Sequence, residues 1–140
     1  MEDSNNMQDT IAKICKQYNW PYQIEEDSII FEVTLTNNRT QACSATVVKT
    51  RFGSSVHVQS PIGQFNALEI EDFALHILKI QYDMVYSRLS IIDVDGQPTL
   101  ILLARTLINI VNEHELFNMI QEVAITADSL ENDLFQKDEF

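Results

Sequence analysis

The chain has 140 residues, 45% of them hydrophobic, with three glycines and three prolines. That balance excludes a disordered or fibrous protein and fits one domain with a core large enough to need no staple. Twenty-one acidic against nine basic side chains give a formal charge of −12, which disfavours gripping a phosphate backbone, so nucleic acid is not an expected partner.

The first ten residues are acidic and polar, without the basic patch and apolar core of a secretory signal. The longest apolar run, 100–104, is too short to span a bilayer. The expectation is a soluble cytoplasmic protein with no membrane contact.

In chain order, Met7, Ile11, Ile14, Cys15 and Tyr18 recur at helical spacing behind the capping candidates Ser4, Asn5 and Asn6. Trp20-Pro21 ends that helix, because the residue before proline avoids the α region. Over 29–35 the period changes to two, with Ile29, Phe31, Val33 and Leu35 on one face, which predicts a strand. Asn37-Asn38 accepts positive φ at low cost and suits a tight turn into a second strand over 39–48. A break near Arg51 to Gly53 leads to a third, short strand carrying Val56, His57 and Val58, closed by Pro61 and Gly63.

Asn66 is a plausible cap for a second helix with Ile70, Phe73, Ala74, Ile77 and Leu78 as its apolar stripe, ending near Tyr82 or Asp83. Strands over 85–92 and 99–107 flank the polar turn Asp93-Val94-Asp95-Gly96. A last helix over 113–135 is capped by Asn112, with Glu115 completing a capping box. Its seam, Leu116, Ile120, Val123, Ala127, Leu130 and Leu134, is spaced by four and three residues in turn. Such a stripe must be covered either by the sheet of the same chain or by a second copy. At 1.5 Å per residue this helix is roughly 35 Å long, so part of it is expected to project toward a partner.

The reading is one α+β domain over 1–140, in the order α-βββ-α-ββ-α, with an antiparallel sheet of about five strands and helices packed on it. Charge is unevenly spread: between Val33 and Leu68 stand Arg39, Lys49 and Arg51 but no acid, while from Asn109 onward eight acids face only Lys137. The first segment is a candidate docking face for an acidic partner, and with the seam residues Leu116, Ile120, Val123, Leu130 and Leu134 it makes up the candidate partner surface.

No catalytic chemistry is visible. His57, His76 and His114 lie in three different elements without ligand spacing, and Asp93-x-Asp95-Gly96 lacks the flanking acids of a calcium loop, since Ile91 and Leu102 stand where those are needed. Cys15 and Cys43 have no C-x-x-C spacing and no basic neighbour, which predicts buried thiols in a reducing compartment. No nucleophile elbow or phosphate loop occurs, so neither enzyme activity nor a cofactor or metal is expected.

The succession of residues 88–92, the Asp-Val-Asp-Gly turn, residues 98–107 and the Asn112-capped acidic helix resembles the type III secretion chaperone-like fold, and within it the YbjN-like branch. The resemblance implies a small cytosolic protein, often a homodimer, that binds or regulates segments of other proteins without catalysis. The leading expectation is therefore a protein-binding or regulatory module. The alternative is a small-ligand sensor with a pocket between sheet and first helix, lined by Trp20, Tyr22 and Phe31.

Overall fold

The computed structural model describes residues 2–64 and 67–135. Helix α1 (Glu2–Tyr18) is followed by strands β1 (Tyr22–Glu25), β2 (Ser28–Thr34), β3 (Thr40–Thr50) and β4 (Gly53–Gln64), then helix α2 (Ala67–Tyr82), strands β5 (Ser87–Val94) and β6 (Gln97–Leu107), and helix α3 (Glu113–Leu134). The strands form one antiparallel sheet in the order β1-β2-β3-β4-β6-β5. The order is thus α-ββββ-α-ββ-α, with six strands where alternation marks five.

The added strand, β1, pairs with β2 through a two-residue turn at Glu26-Asp27. It is held from outside the sheet: Gln8 on α1, almost buried, points its amide nitrogen at the carbonyls of Glu26 (2.9 Å), Ser28 (3.0 Å) and Glu25 (3.4 Å). α1 starts at Glu2, so Ser4, Asn5 and Asn6 lie inside it rather than capping it. It ends with Asn19 at φ 59° and the Trp20 amide bonded back to the Cys15 carbonyl at 2.8 Å, the left-handed cap that satisfies a helix's last carbonyls.

The third predicted strand is not short. β4 runs twelve residues, and Pro61 and Gly63 fall inside it instead of closing it. Proline has no N–H to give a ladder, and here none is needed, because the pairing of β4 with β3 ends at Ser44 opposite Gln59. Beyond that pair, side chains bridge the gap. Gln41 donates to the Ser60 hydroxyl (2.8 Å) and the Pro61 carbonyl (3.2 Å), and Ser60 donates to the Ala42 carbonyl (2.5 Å). On its other side β4 shifts register against β6 between Pro61 and Gly63, a bulge that bends the strand.

The core lies between the sheet and α1 and α3. Ile29, Phe31 and Val33 of β2, Cys43 and Ala45 of β3, Val56 and Val58 of β4, and Leu100, Leu102 and Ala104 of β6 meet Ile11, Ile14 and Cys15 of α1 and the α3 seam. Leu116, Ile120, Val123, Ala127 and Leu130 are all buried and Leu134 half-buried, so the chain's own sheet covers the seam. α3 does not project either: Phe135, which caps it, lies against Gly63 so closely that a Cβ there would come within 2.8 Å of its ring.

α2 packs against the edge strand β5 and ends at Tyr82, as expected. Its stripe differs from the predicted one. Ile77 is half-buried, but Ala74 and Leu78 are exposed, while the Asn66 cap and the side chains of Ile70 and Phe73 lie outside the described residues. Ile77, Ile80 and Met84 face the core, and Leu75, Leu78, Tyr82 and Val85 stand in solvent.

Candidate functional site

A strand's side chains alternate between faces, so a sheet lined by helices on one side must present its other residues elsewhere. Here Ile30 of β2, Ala42 and Ser44 of β3, Gln59 and Pro61 of β4, Thr99 and Ile101 of β6, and Ile92 and Val94 of β5 bound a shallow hollow of about 250 Å3, to which no helix contributes. Ile101 lies at its floor, 5% exposed, with Ile30, Ile92 and Val94 at the rim, each about two-fifths exposed. This is an apolar surface with no cover from the described part of the chain.

Along the same face the sheet becomes cationic. His57 of β4 sits opposite Arg105 of β6, and Arg88 of β5 sits opposite Leu103, two residues along β6 on the same face. The pleat places all three on the uncovered side. Burial, then Arg105 and Arg88, holds His57 below its usual imidazole range, and its Nε2 lies 2.9 Å from the Ser55 hydroxyl. Past them, Thr50, Arg51, Phe52, Ser55, Arg105, Thr106 and Leu107 surround a second hollow of about 400 Å3 at the β3–β4 turn. The Thr50 hydroxyl accepts from the Phe52 amide (3.1 Å) and donates to the Gly53 carbonyl (2.7 Å), which fixes the turn and holds Phe52 out, 72% exposed, under the Arg51 guanidinium at 4.8 Å.

The edge beside this face is partly closed. Glu122 of α3 accepts from the backbone amides of Val85 (2.9 Å), Tyr86 (2.8 Å) and Ser87 (2.8 Å) and from the Ser87 hydroxyl (2.6 Å). Burial acts to raise its carboxyl, but the Ser87 hydroxyl and the three amides outweigh it and hold the group below the ordinary range. Gln81 of α2 takes the Leu89 amide at 2.8 Å. Ser87 and Leu89 share the alternate positions of β5 that point away from β6, so two side chains occupy the first two of the edge's outward donors, where a foreign strand would otherwise pair.

Of the predicted partner residues, Arg39 is paired with Asp128 of α3 at 2.9 Å and ties the β2–β3 turn to that helix. Lys49, at the exposed end of β3, alternates to the helix side, so Arg51 alone of the three lies at the cationic hollow. Leu116, Ile120, Val123 and Leu130 are enclosed, leaving no surface there for a partner. Arg88 and Arg105 were missed because they lie outside the acid-free segment; the strand order β4-β6-β5, invisible in sequence adjacency, brings them beside His57.

The proposed sensor pocket is filled. Trp20 and Phe31 are buried and stacked 6.5 Å apart, with Tyr18 and Phe117 continuing the stack, and Tyr22 lies on the exposed edge strand. The hollow beside them, about 320 Å3, is bounded by Ile14, Gln17, Tyr18, Glu113, His114 and Phe117 instead. Cys15 and Cys43 are free thiols in the core, which burial pushes up to about 11 and about 12. Among the described residues no group of three His, Cys, Asp or Glu could hold a metal ion, and no helix is long and apolar enough to cross a membrane.

No family model and no curated protein matches the sequence. Among solved structures the chain is similar to YbjN from E. coli, described as a candidate transcription regulator, with 10% identity, a TM-score of 0.61, and coverage of 92% of this chain and 93% of that one. At that identity the likeness speaks for the fold alone: the chain has the YbjN-like, chaperone-like fold that its final strands and helix resemble in sequence.

Proposed function

We propose that this protein is a non-enzymatic binding module that holds a segment of a partner protein on the uncovered face of its sheet and so regulates that partner. The observation that carries the reading is the one-sided sheet, whose far face offers a continuous apolar hollow flanked by cations. Patches of this kind mark interaction sites on soluble proteins. YbjN's description as a candidate regulator agrees with a role of this class. The two free thiols favour a reducing, cytoplasmic setting.

The protein acts as a homodimer in this reading, and the surface that favours it is α2. Leu75, Leu78, Tyr82 and Val85, 64% to 90% exposed, follow one another along a single side of α2 and the turn after it. An apolar helix stripe of this kind suits a matching stripe on a second copy.

Peptides selected from a random display library on the immobilised native protein test the reading. They should lose binding to an Ile92→Asp variant whose thermal unfolding matches the parent. A library that yields no binder, or binders indifferent to Ile92→Asp, would count against it.

A further inference from the structure

The cationic end of the uncovered face carries a chemistry that folding does not require. Arg51 and Arg105 line the hollow of about 400 Å3 at the β3–β4 turn, both are exposed, and neither is in an ion pair among the described residues. The chain has more than twice as many acids as bases, and Lys13 and Arg39 find carboxylates at Glu113 and Asp128. Arg88 adds a further positive charge to the same side, and neighbouring like charges on a sheet repel. Acids are meanwhile missing from the whole of 33–68, which supplies β3 and β4. A cluster of like charges with no counter-charge paired to it among the described residues suits an external anion.

We propose that this end of the sheet receives an acidic peptide segment of a partner protein, in which Arg51 and Arg105 bind Asp or Glu carboxylates while the hollow around Ile101 takes an apolar side chain of the same segment. This rests on the binding reading above and names the chemistry of its partner. The spacing follows from β6: Ile101 and Arg105 are four residues apart on one face, about 14 Å at roughly 3.4 Å per residue. An extended segment with an acid and a Leu, Ile or Val four residues apart matches both hollows at once, and guanidinium forks pair well with carboxylates.

Other occupants fit less well. Duplex nucleic acid would approach a molecule of charge −12. A second copy offering its acidic α3 to this face would make a head-to-tail contact that does not close on itself and grows with concentration.

Fluorescence polarisation with two labelled octapeptides tests the proposal. One carries two adjacent glutamates and a leucine four residues from one of them; its twin has glutamine for each glutamate. The glutamate peptide should bind about tenfold or more tightly than its twin at low salt, with the advantage shrinking as salt rises. A double variant, Arg51→Gln with Arg105→Gln, should remove that advantage with no loss of thermal stability, because both side chains are exposed and their mutual repulsion is relieved.

Equal affinity for the two peptides, or an advantage that survives the double variant, would overturn the acidic class. If the glutamine peptide binds and Ile92→Asp abolishes that binding, the sheet-face reading stands without it. Binding of neither peptide overturns this proposal, while the display selection separately decides the broader reading. Self-association that grows with concentration and disappears in the double variant would assign the site to a second copy, and preferential binding of labelled duplex DNA would assign it to nucleic acid; either result overturns the proposal.

Discussion

Glu122 joins the last helix to the start of β5 through four hydrogen bonds on one carboxylate. Glutamine keeps the shape but carries no charge and replaces one acceptor oxygen with a donor that would face those donors. Glu122→Gln should therefore cost about 1–3 kcal/mol in chemical denaturation. The sign with pH follows from the lowered carboxyl. The folded chain binds fewer protons here than the unfolded one, so the stabilisation is full above the unfolded value near about 4.3 and is lost as pH falls through the folded value beneath it. Glu131, raised by burial and by Asp128, titrates with the opposite sense nearby. The test is accordingly the difference between parent and variant: below about pH 5 the parent should lose stability more steeply than Glu122→Gln, and parallel curves would contradict the assignment. No sequence pattern marks this clasp, because Glu122 is only one of eight acids after Asn109. Ile120 is different, since its place in the seam is legible from spacing alone and it is fully buried. Ile120→Asp should destabilise the fold by roughly 4 kcal/mol or more, and an unchanged melting temperature would show the seam to be uncovered.

At the scale of elements, legibility follows periodicity. α3 reads directly because cap and seam agree: the Asn112 side chain accepts from the Glu115 amide at 2.8 Å, while the Glu115 carboxylate accepts from the Asn112 side-chain amide at 3.4 Å and not from its backbone N–H as a full capping box would. The β5–β6 turn is equally clear, with Asp95 at φ 53° and Gly96 at φ 82°, as an Asp-Gly hairpin requires. β1 is not legible, for all four of its residues are exposed and no buried face imposes an alternation. α2 has an apolar content that announces a helix but not its rotation, since it sits at the edge strand β5, turns Ile77 and Ile80 to the core and leaves Leu75 and Leu78 out. β4 misleads through Pro61 and Gly63, ordinarily strand-ending, which the bulge and the Gln41–Ser60 bridge accommodate. The contact of Gly63 with Phe135 yields a prediction. Gly63→Ala should cost about 1–3 kcal/mol by forcing the ring aside, and the cost should shrink in a Phe135→Ala background; equal costs in both would remove the contact from the explanation.

At the scale of the molecule, the sheet sorts the chain's polarity. Helices α1 and α3 cover one face and form the core, and the other face runs from the hollow floored by Ile101 to Arg51 and Arg105. Sequence reasoning reached the sheet but placed the candidate partner surface partly on the α3 seam, because spacing cannot say whether a stripe is covered by its own sheet or by another chain. The proposed homodimer belongs to this scale too. Light scattering at tens of micromolar should give twice the chain mass, and Leu78→Glu should give the monomer without loss of folding; a monomeric parent would exclude the dimer. The uncovered face itself is tested most directly by methyl NMR on isoleucine-labelled protein titrated with a display-selected peptide. The methyl signals of Ile30, Ile92 and Ile101 should move while those of Ile11, Ile14 and Ile120 stay in place, and shifts confined to the second set would place the partner on the helix side and contradict the account.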